Sequence, residues 1–268
     1  MLRKNAAKNI GTRVWYVLRA RKRVSLRPMR KKHRTVADWL ATPLGALTTS
    51  TETMIAERAM EKMFGDVAVQ LGVWGEPDLF LQHSKTRLSL LAAPYPSDGV
   101  DLVCAPSSLA LASDSVDSVI LPHTLELSER PRETLREVQR VLVGDGQVVL
   151  MCFDPHSLWG MCKRLGRIPS REAAPLPIRR LFDWLTLLGL EPVHWERYLY
   201  VPPFNHEAVA RRADAFARVG DTLWPFASGA FLVVAKKRVY TGMPKPHRRT
   251  RRLRVVPPLS EPITSSAA

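Results

Sequence analysis

Between Asp114 and Met151 the chain spells a strand, a loop, a helix, a tight turn and a second strand, and this segment restricts the fold more than any other. Val116, Val119, Ile120 and Leu121 form a short apolar run suited to a buried strand, which Pro122 closes. Pro131 stands where a helix would begin, a position that tolerates its missing N–H. Leu135, Val138 and Leu142 then recur three and four apart, with Arg136, Glu137, Gln139 and Arg140 between them, as in an amphipathic helix. Gly144 and Gly146 are expected to end that helix, and the run from Val148 to Met151 is apolar and strand-like again. Two such strands joined by a helix run parallel and need helices over both faces. The expectation is an α/β protein whose ligands sit beyond the C-terminal ends of its strands.

The flanking sequence extends the pattern. Trp39, Leu40, Leu44 and Leu47 open the globular part, and Met54, Ile55, Ala59, Met63 and Phe64 predict an amphipathic helix over roughly 50–64, stopped by Gly65. Strands are expected at 67–72, 88–92, 100–104, 116–121 and 146–153. A helix over 177–188 has Pro at its start and Gly189 at its stop. A closing pair of strands, 192–200 and 230–236, brackets a further helix over 205–219 that carries Arg211 and Arg212.

Charge is unevenly distributed. Residues 1–37 hold 13 Lys and Arg and no acid, for +13; residues 38–235 hold 18 basic against 24 acidic residues, for −6; residues 236–268 hold 9 against 1, for +8. The net +15 therefore belongs to the two ends. Residues 1–34 read as a basic disordered arm, 35–239 as the folded domain, and 240–268 as a basic tail containing Pro and Ser. Such ends give weak, salt-sensitive contact with nucleic acid or an anionic surface, and the acidic body is not itself shaped to grip nucleic acid.

Cys104, Cys152 and Cys162 form no paired framework and read as reduced residues. Cys152, His156 and Cys162 are better read as core and loop residues than as a metal site, since only three potential ligands cluster and one lies in a strand. No apolar run is long enough to cross a bilayer, and no secretory signal is evident, so a cytoplasmic protein is expected.

The residues Asp114-Ser-Val-Asp, then Val119-Ile-Leu-Pro-His-Thr-Leu-Glu, then Leu135-Arg-Glu-Val-Gln-Arg-Val-Leu before Gly144 and Gly146 resemble the fourth and fifth strands of class I S-adenosylmethionine-dependent methyltransferases, and among them the bacterial type 11 group. The likeness covers about residues 66–160 and, by element order, extends to about 235. It implies a Rossmann-like, seven-stranded, mostly parallel sheet flanked by helices, S-adenosylmethionine as cofactor, and in-line methyl transfer to an unknown acceptor. It also implies a glycine-rich loop after the first strand, where Gln70-Leu-Gly-Val-Trp-Gly-Glu keeps Gly72 and Gly75 but carries Val73 and Trp74 at the centre. The acid that the family places after the second strand is replaced by Ala92-Ala-Pro, and aligning Leu109 puts Ala105 where the family has its adenine-side Asp.

On this resemblance Gly72, Trp74, Gly75, Ala105, Leu109 and His123 are the candidate cofactor-binding residues, and Asp154, His156 and Trp159 the substrate-side ones. Trp74 either stacks on a flat ligand or fills an empty cleft. His123 is a candidate polar contact or general base, against the plainer role of a loop histidine. Asp154, His156 and Trp159 compete with a Pro-directed turn and a packed Trp. Arg164, Arg167 and Arg171 would receive an anionic substrate or simply be solvated. The alternative function is a non-catalytic protein of this fold, acting as a binding or scaffold module through its basic ends.

Overall fold

A computed structural model describes residues 36–61, 63–77, 79–164, 176–203 and 228–238. They build one sheet in the order β3-β2-β1-β4-β5-β7-β6. The strands are β1 (Phe64–Leu71), β2 (Lys85–Ala93), β3 (Leu102–Val103), β4 (Val116–Pro122), β5 (Leu142–Phe153), β6 (Leu190–Tyr198) and β7 (Ala230–Lys237). The first five pair in parallel, while β7 lies antiparallel to both β5 and β6. The order of connection reverses between β1 and β4, which leaves a crevice at their C-terminal ends.

Helix α1 (Pro43–Met60) begins earlier than expected and ends sooner. Pro43 suits its first turn, and the Thr42 hydroxyl accepts the Gly45 N–H at 3.2 Å as an N-cap. Thr48, Thr49, Thr51 and Thr53 each return their hydroxyl to the carbonyl four residues back, so these polar groups are satisfied within the helix itself. Gly65 is not the stop. Pairing of Phe64 with Lys85 and of Gly65 with Thr86 draws both residues into β1.

Helix α2 is a single turn (Thr124–Leu127), followed by α3 (Pro131–Val141), α4 (Leu158–Arg164) and α5 (Ile178–Leu187). Leu142, expected in α3, already pairs with Val116 and opens β5. Gly144 and Gly146 fall inside β5, where residues 143–146 bulge out between the Val116–Leu142 and Ser118–Gln147 pairs. The third strand is cut to two residues at the sheet edge. The helix expected over 205–219, the basic ends and the loop carrying Arg167 and Arg171 lie outside the described residues.

Each face of the sheet has its own core. One face, beneath α3 and α5, is aliphatic and centres on Val69, Val119, Val148, Leu135, Val138 and Leu181. The other, beneath α1, gathers Ile55, Met60, Trp39, Trp74, Phe153 and Trp159. No helix among the described residues is long and apolar enough to cross a membrane.

Candidate functional site

The buried stripe of α1 runs Leu44, Thr48, Glu52, Ile55, Ala56 and Met60, so helical spacing delivers a carboxyl to the sheet among apolar neighbours. Glu52 is fully buried. It accepts the indole N–H of Trp74 at Oε2 (2.6 Å), and at Oε1 a ring N–H of His123 (2.7 Å) and the phenol of Tyr198 (3.1 Å). Three donors converging on one acceptor-only group satisfy a charge that burial alone would make costly. No pattern in the sequence singled Glu52 out, because its partners lie 22, 71 and 146 residues away.

His123 follows β4 in the left-handed conformation, at φ 52°, and is 1% exposed. Its Nε2 faces Glu52 and its Nδ1 faces Glu126 Oε1 at 3.3 Å. Burial alone would lower its pKa, but the charge of Glu52, reinforced by the ring's hydrogen bonds to both carboxylates, outweighs this and raises it to about 9. His123 is thus an imidazolium at neutral pH. In that form both ring nitrogens donate to carboxylates, Nε2 to Glu52 and Nδ1 to Glu126. Tyr198 is held well above its ordinary pKa by burial and then by the Glu52 charge, so it donates its hydrogen to Glu52.

Aromatic rings enclose this polar centre. The imidazole stacks on Trp74 and on Phe153, each 4.2 Å away between ring centroids at 29°, and those two rings are themselves 6.2 Å apart at 58°. Phe153 stacks in turn on Trp159 at 5.8 Å, and Trp39 meets Trp74, Phe153 and Trp159 at 6.3, 6.3 and 6.4 Å. A cation close to two aromatic rings gains from their quadrupoles. Glu126 Oε1 also accepts the Phe153 backbone N–H, joining the loop after β4 to the end of β5.

Hydrogen bonds also tie the strand ends together. Gly72, at φ 91°, donates its N–H to Ala92 O at 2.8 Å, joining β1 to β2, and a Cβ there would stand 2.9 Å from Thr124 Oγ1. The Thr124 hydroxyl donates to Leu71 O, joining the residues after β4 to β1. Gly75 also turns left-handed, at φ 69°, so the Gly72–Gly75 loop keeps the backbone turn of a glycine loop while Trp74 folds back over His123.

The other candidates are placed as follows. Ala92 and Ala93 end β2 buried and offer no carboxylate. Asp101 Oδ2 is committed to the Leu91 N–H at 2.9 Å, and Ala105 forms an isolated bridge with Ser108. Leu109 has its side chain buried in the aliphatic core, its N–H donating to Glu137 and its carbonyl accepting from Arg140. Trp159 is 1% exposed, its indole donates to Val201 O at 2.7 Å, and it packs so closely on Gly229 that a Cβ there would lie 2.5 Å from the ring. Its ring is part of the aromatic core on the α1 side. Asp154 is buried and caps the turn by accepting the His156 N–H at 2.9 Å, while His156 itself is exposed. The structure thus brings Trp74 and His123 together and leaves His156 apart. Among the described residues no group of three or more His, Cys, Asp or Glu could hold a metal ion.

The parallel sheet with one antiparallel strand next to its edge, and the reversal between β1 and β4, define a class I methyltransferase fold. The type 11 family described as "Methyltransferase domain" matches residues 81–150, the stretch from the end of the first loop to within β5. An Escherichia coli K12 protein, YafS, described as uncharacterized, is 37% identical over 109 residues, which are 40% of this chain and 45% of YafS. The chain thus matches less than half the length of that relative. An S-adenosylmethionine-dependent methyltransferase from Archaeoglobus fulgidus superposes with a TM-score of 0.53 at 17% identity, over 70% of this chain and 94% of its own. Geranyl diphosphate C-methyltransferase from Streptomyces coelicolor, in complex with S-adenosyl-L-homocysteine, gives 0.51 at 12% identity, over 70% and 79%. At such identities these likenesses concern the fold alone.

Proposed function

We propose that this chain is an S-adenosylmethionine-dependent methyltransferase whose cofactor seat is closed in the conformation described. The observation that carries the reading is the family match over residues 81–150 on a sheet of methyltransferase order. S-adenosylmethionine is the cofactor that the family and the fold indicate. The residues present nevertheless do not fit it as the family resemblance would have it. The crevice beside Gly72 is filled by Trp74 on His123, β2 ends without an acid, and Asp101 is tied to Leu91. Methyl transfer by in-line displacement asks the protein mainly to orient an acceptor and exclude water, and the buried aromatic rings at the switch point would serve the second of these tasks. His123, already protonated, would act there as a fixed charge.

A second reading is favoured by the same stack: a non-catalytic protein of this fold that uses the site as a structural keystone and binds partners through its basic ends. Titrating S-adenosylmethionine and S-adenosylhomocysteine into the full chain, with melting temperature followed in parallel, separates the two. Saturable heat and a ligand-dependent rise in melting temperature are expected for the enzyme. A flat titration and an unchanged melting temperature at millimolar ligand would sink it in favour of the second reading. The acceptor, whether small molecule, RNA or protein, is then sought by transfer of a labelled methyl group.

A further inference from the structure

Helix α4 follows β5 and has two apolar faces. One is turned inward: Trp159 and Cys162, three apart, are 1% and 8% exposed and belong to the aromatic core. The other is turned to solvent, where Leu158 and Met161, again three apart, are 50% and 54% exposed. The helix is firmly seated, so this is not the exposure of a frayed end. The Ser157 hydroxyl accepts the Gly160 N–H at 3.2 Å, and the Trp159 indole is bonded to Val201 O. Gly160 lies so close to Pro155 that a Cβ there would stand 2.4 Å from its carbonyl oxygen.

Two strongly basic stretches meet the fold at this helix. Residues 1–35, with 13 Lys and Arg and no acid, join the described structure at Val36. Val36 and Trp39 are buried in the same aromatic core, and Trp39 meets Trp159 edge-on at 6.4 Å, so the root of the arm packs against the inner face of α4. At the other end of the helix, residues 163–171 hold Lys163, Arg164, Arg167 and Arg171 and no acid. Within the arm, the apolar run Val14-Trp-Tyr-Val-Leu is followed by Arg19-Ala-Arg-Lys-Arg, a pairing of aromatic and basic residues suited to a lipid headgroup layer.

We propose that α4 is the contact face for an anionic lipid bilayer, with Leu158 and Met161 entering the headgroup region and the flanking basic stretches drawn to its charge. Neither signal holds a protein alone. Polybasic attraction fades within about 8 Å at physiological salt, and two apolar side chains bury little area. Together they form the two-part anchor that peripheral attachment requires. Nucleic acid would satisfy the basic charge, but its bases call for exposed aromatic faces, and the rings beside α4 are buried. A bilayer answers both the charge and the exposed apolar pair. Neither Leu158 nor Met161 belongs to the crevice, so this contact stands whichever way the cofactor titration falls.

The test co-sediments the full chain with vesicles of phosphatidylcholine alone and of equimolar phosphatidylcholine and phosphatidylglycerol. Beside it run a Leu158→Ser/Met161→Ser variant and a charge variant, Arg19→Glu/Arg21→Glu/Lys22→Glu/Arg23→Glu, with melting curves to establish that each is folded. Wild type should bind the anionic vesicles at least about tenfold more tightly than the neutral ones, and less as salt rises. The double serine variant should lose about tenfold of that affinity while keeping its salt sensitivity. The charge variant should lose most of the preference for anionic vesicles. Unchanged binding in the double serine variant would overturn α4 as the contact face. Absence of wild-type binding to either vesicle would overturn the bilayer contact, and salt-sensitive retention of single-stranded RNA in a filter assay would then assign the arm to nucleic acid.

Discussion

On one face of the sheet Leu135, Val138, Leu181 and Leu185 meet Val69, Val119 and Val148. On the other, Glu52 and His123 are buried at 0% and 1% exposure among Trp39, Trp74, Phe153 and Trp159. The same strands supply both faces, and alternation along each strand decides which residue goes where. The aliphatic face is held by area and fit alone, so it tolerates exchange of shape more readily than exchange of polarity. The aromatic face depends on every polar group keeping its partner, since an unpaired charge there has no water to turn to. The contrast singles out the α1 side of the sheet, where a buried ion cluster lies at the topological switch point.

Glu52→Ala breaks this contrast most sharply. It strands the His123 cation and the donors of Trp74 and Tyr198, and urea unfolding should report a loss of about 3–5 kcal/mol. A loss under about 1 kcal/mol would mean the cluster is not held as described. Leu135→Ala probes the aliphatic face, where a cavity alone predicts about 2–5 kcal/mol, with no accompanying change in pH dependence.

The pH dependence sharpens the comparison further. The folded-state pKa of His123 is raised to about 9 from an ordinary 6.5. Its contribution is therefore complete below about pH 6.5 and fades as pH climbs through about 9, by about 3 kcal/mol in all. Unfolding free energies between pH 6 and 10 should show this decline in wild type and in Leu135→Ala, and lose most of it in His123→Gln. A decline that persists in His123→Gln would assign it elsewhere. The smallest effect is expected at the N-terminal end of α1, where Thr42→Ala removes a cap worth about 1 kcal/mol by thermal melting. If α1 carries Glu52 to the crevice, this variant should also weaken the pH decline slightly.

Much of the fold was legible because its cues are local. Apolar runs bounded by Pro and Gly located the strands, and the spacing of Leu135 and Val138 located α3. Boundaries were less legible. Phe64 has helical spacing with Ala59 and Met63, yet pairing with Lys85 takes it into β1, and Leu142 leaves the α3 pattern for the same reason. Local periodicity cannot weigh a hydrogen bond to a strand that arrives later in the chain.

At the site the sequence by itself determined which residues the loops after β1 and β4 would bring near the crevice, Gly72, Trp74 and His123, because strand ends in a parallel sheet converge there. It also determined that the acids expected at Ala92 and Ala105 are absent. Only the tertiary structure decided that Trp74 folds inward, that Trp159 and Leu109 are core, and that His123 is a cation. The reason is Glu52. Among partners made by the β-strand and loop residues around it, a mid-helix glutamate in a Thr-rich stretch looks like any solvent-facing acid until the fold buries it, and its charge then sets the protonation and orientation of every polar group it meets.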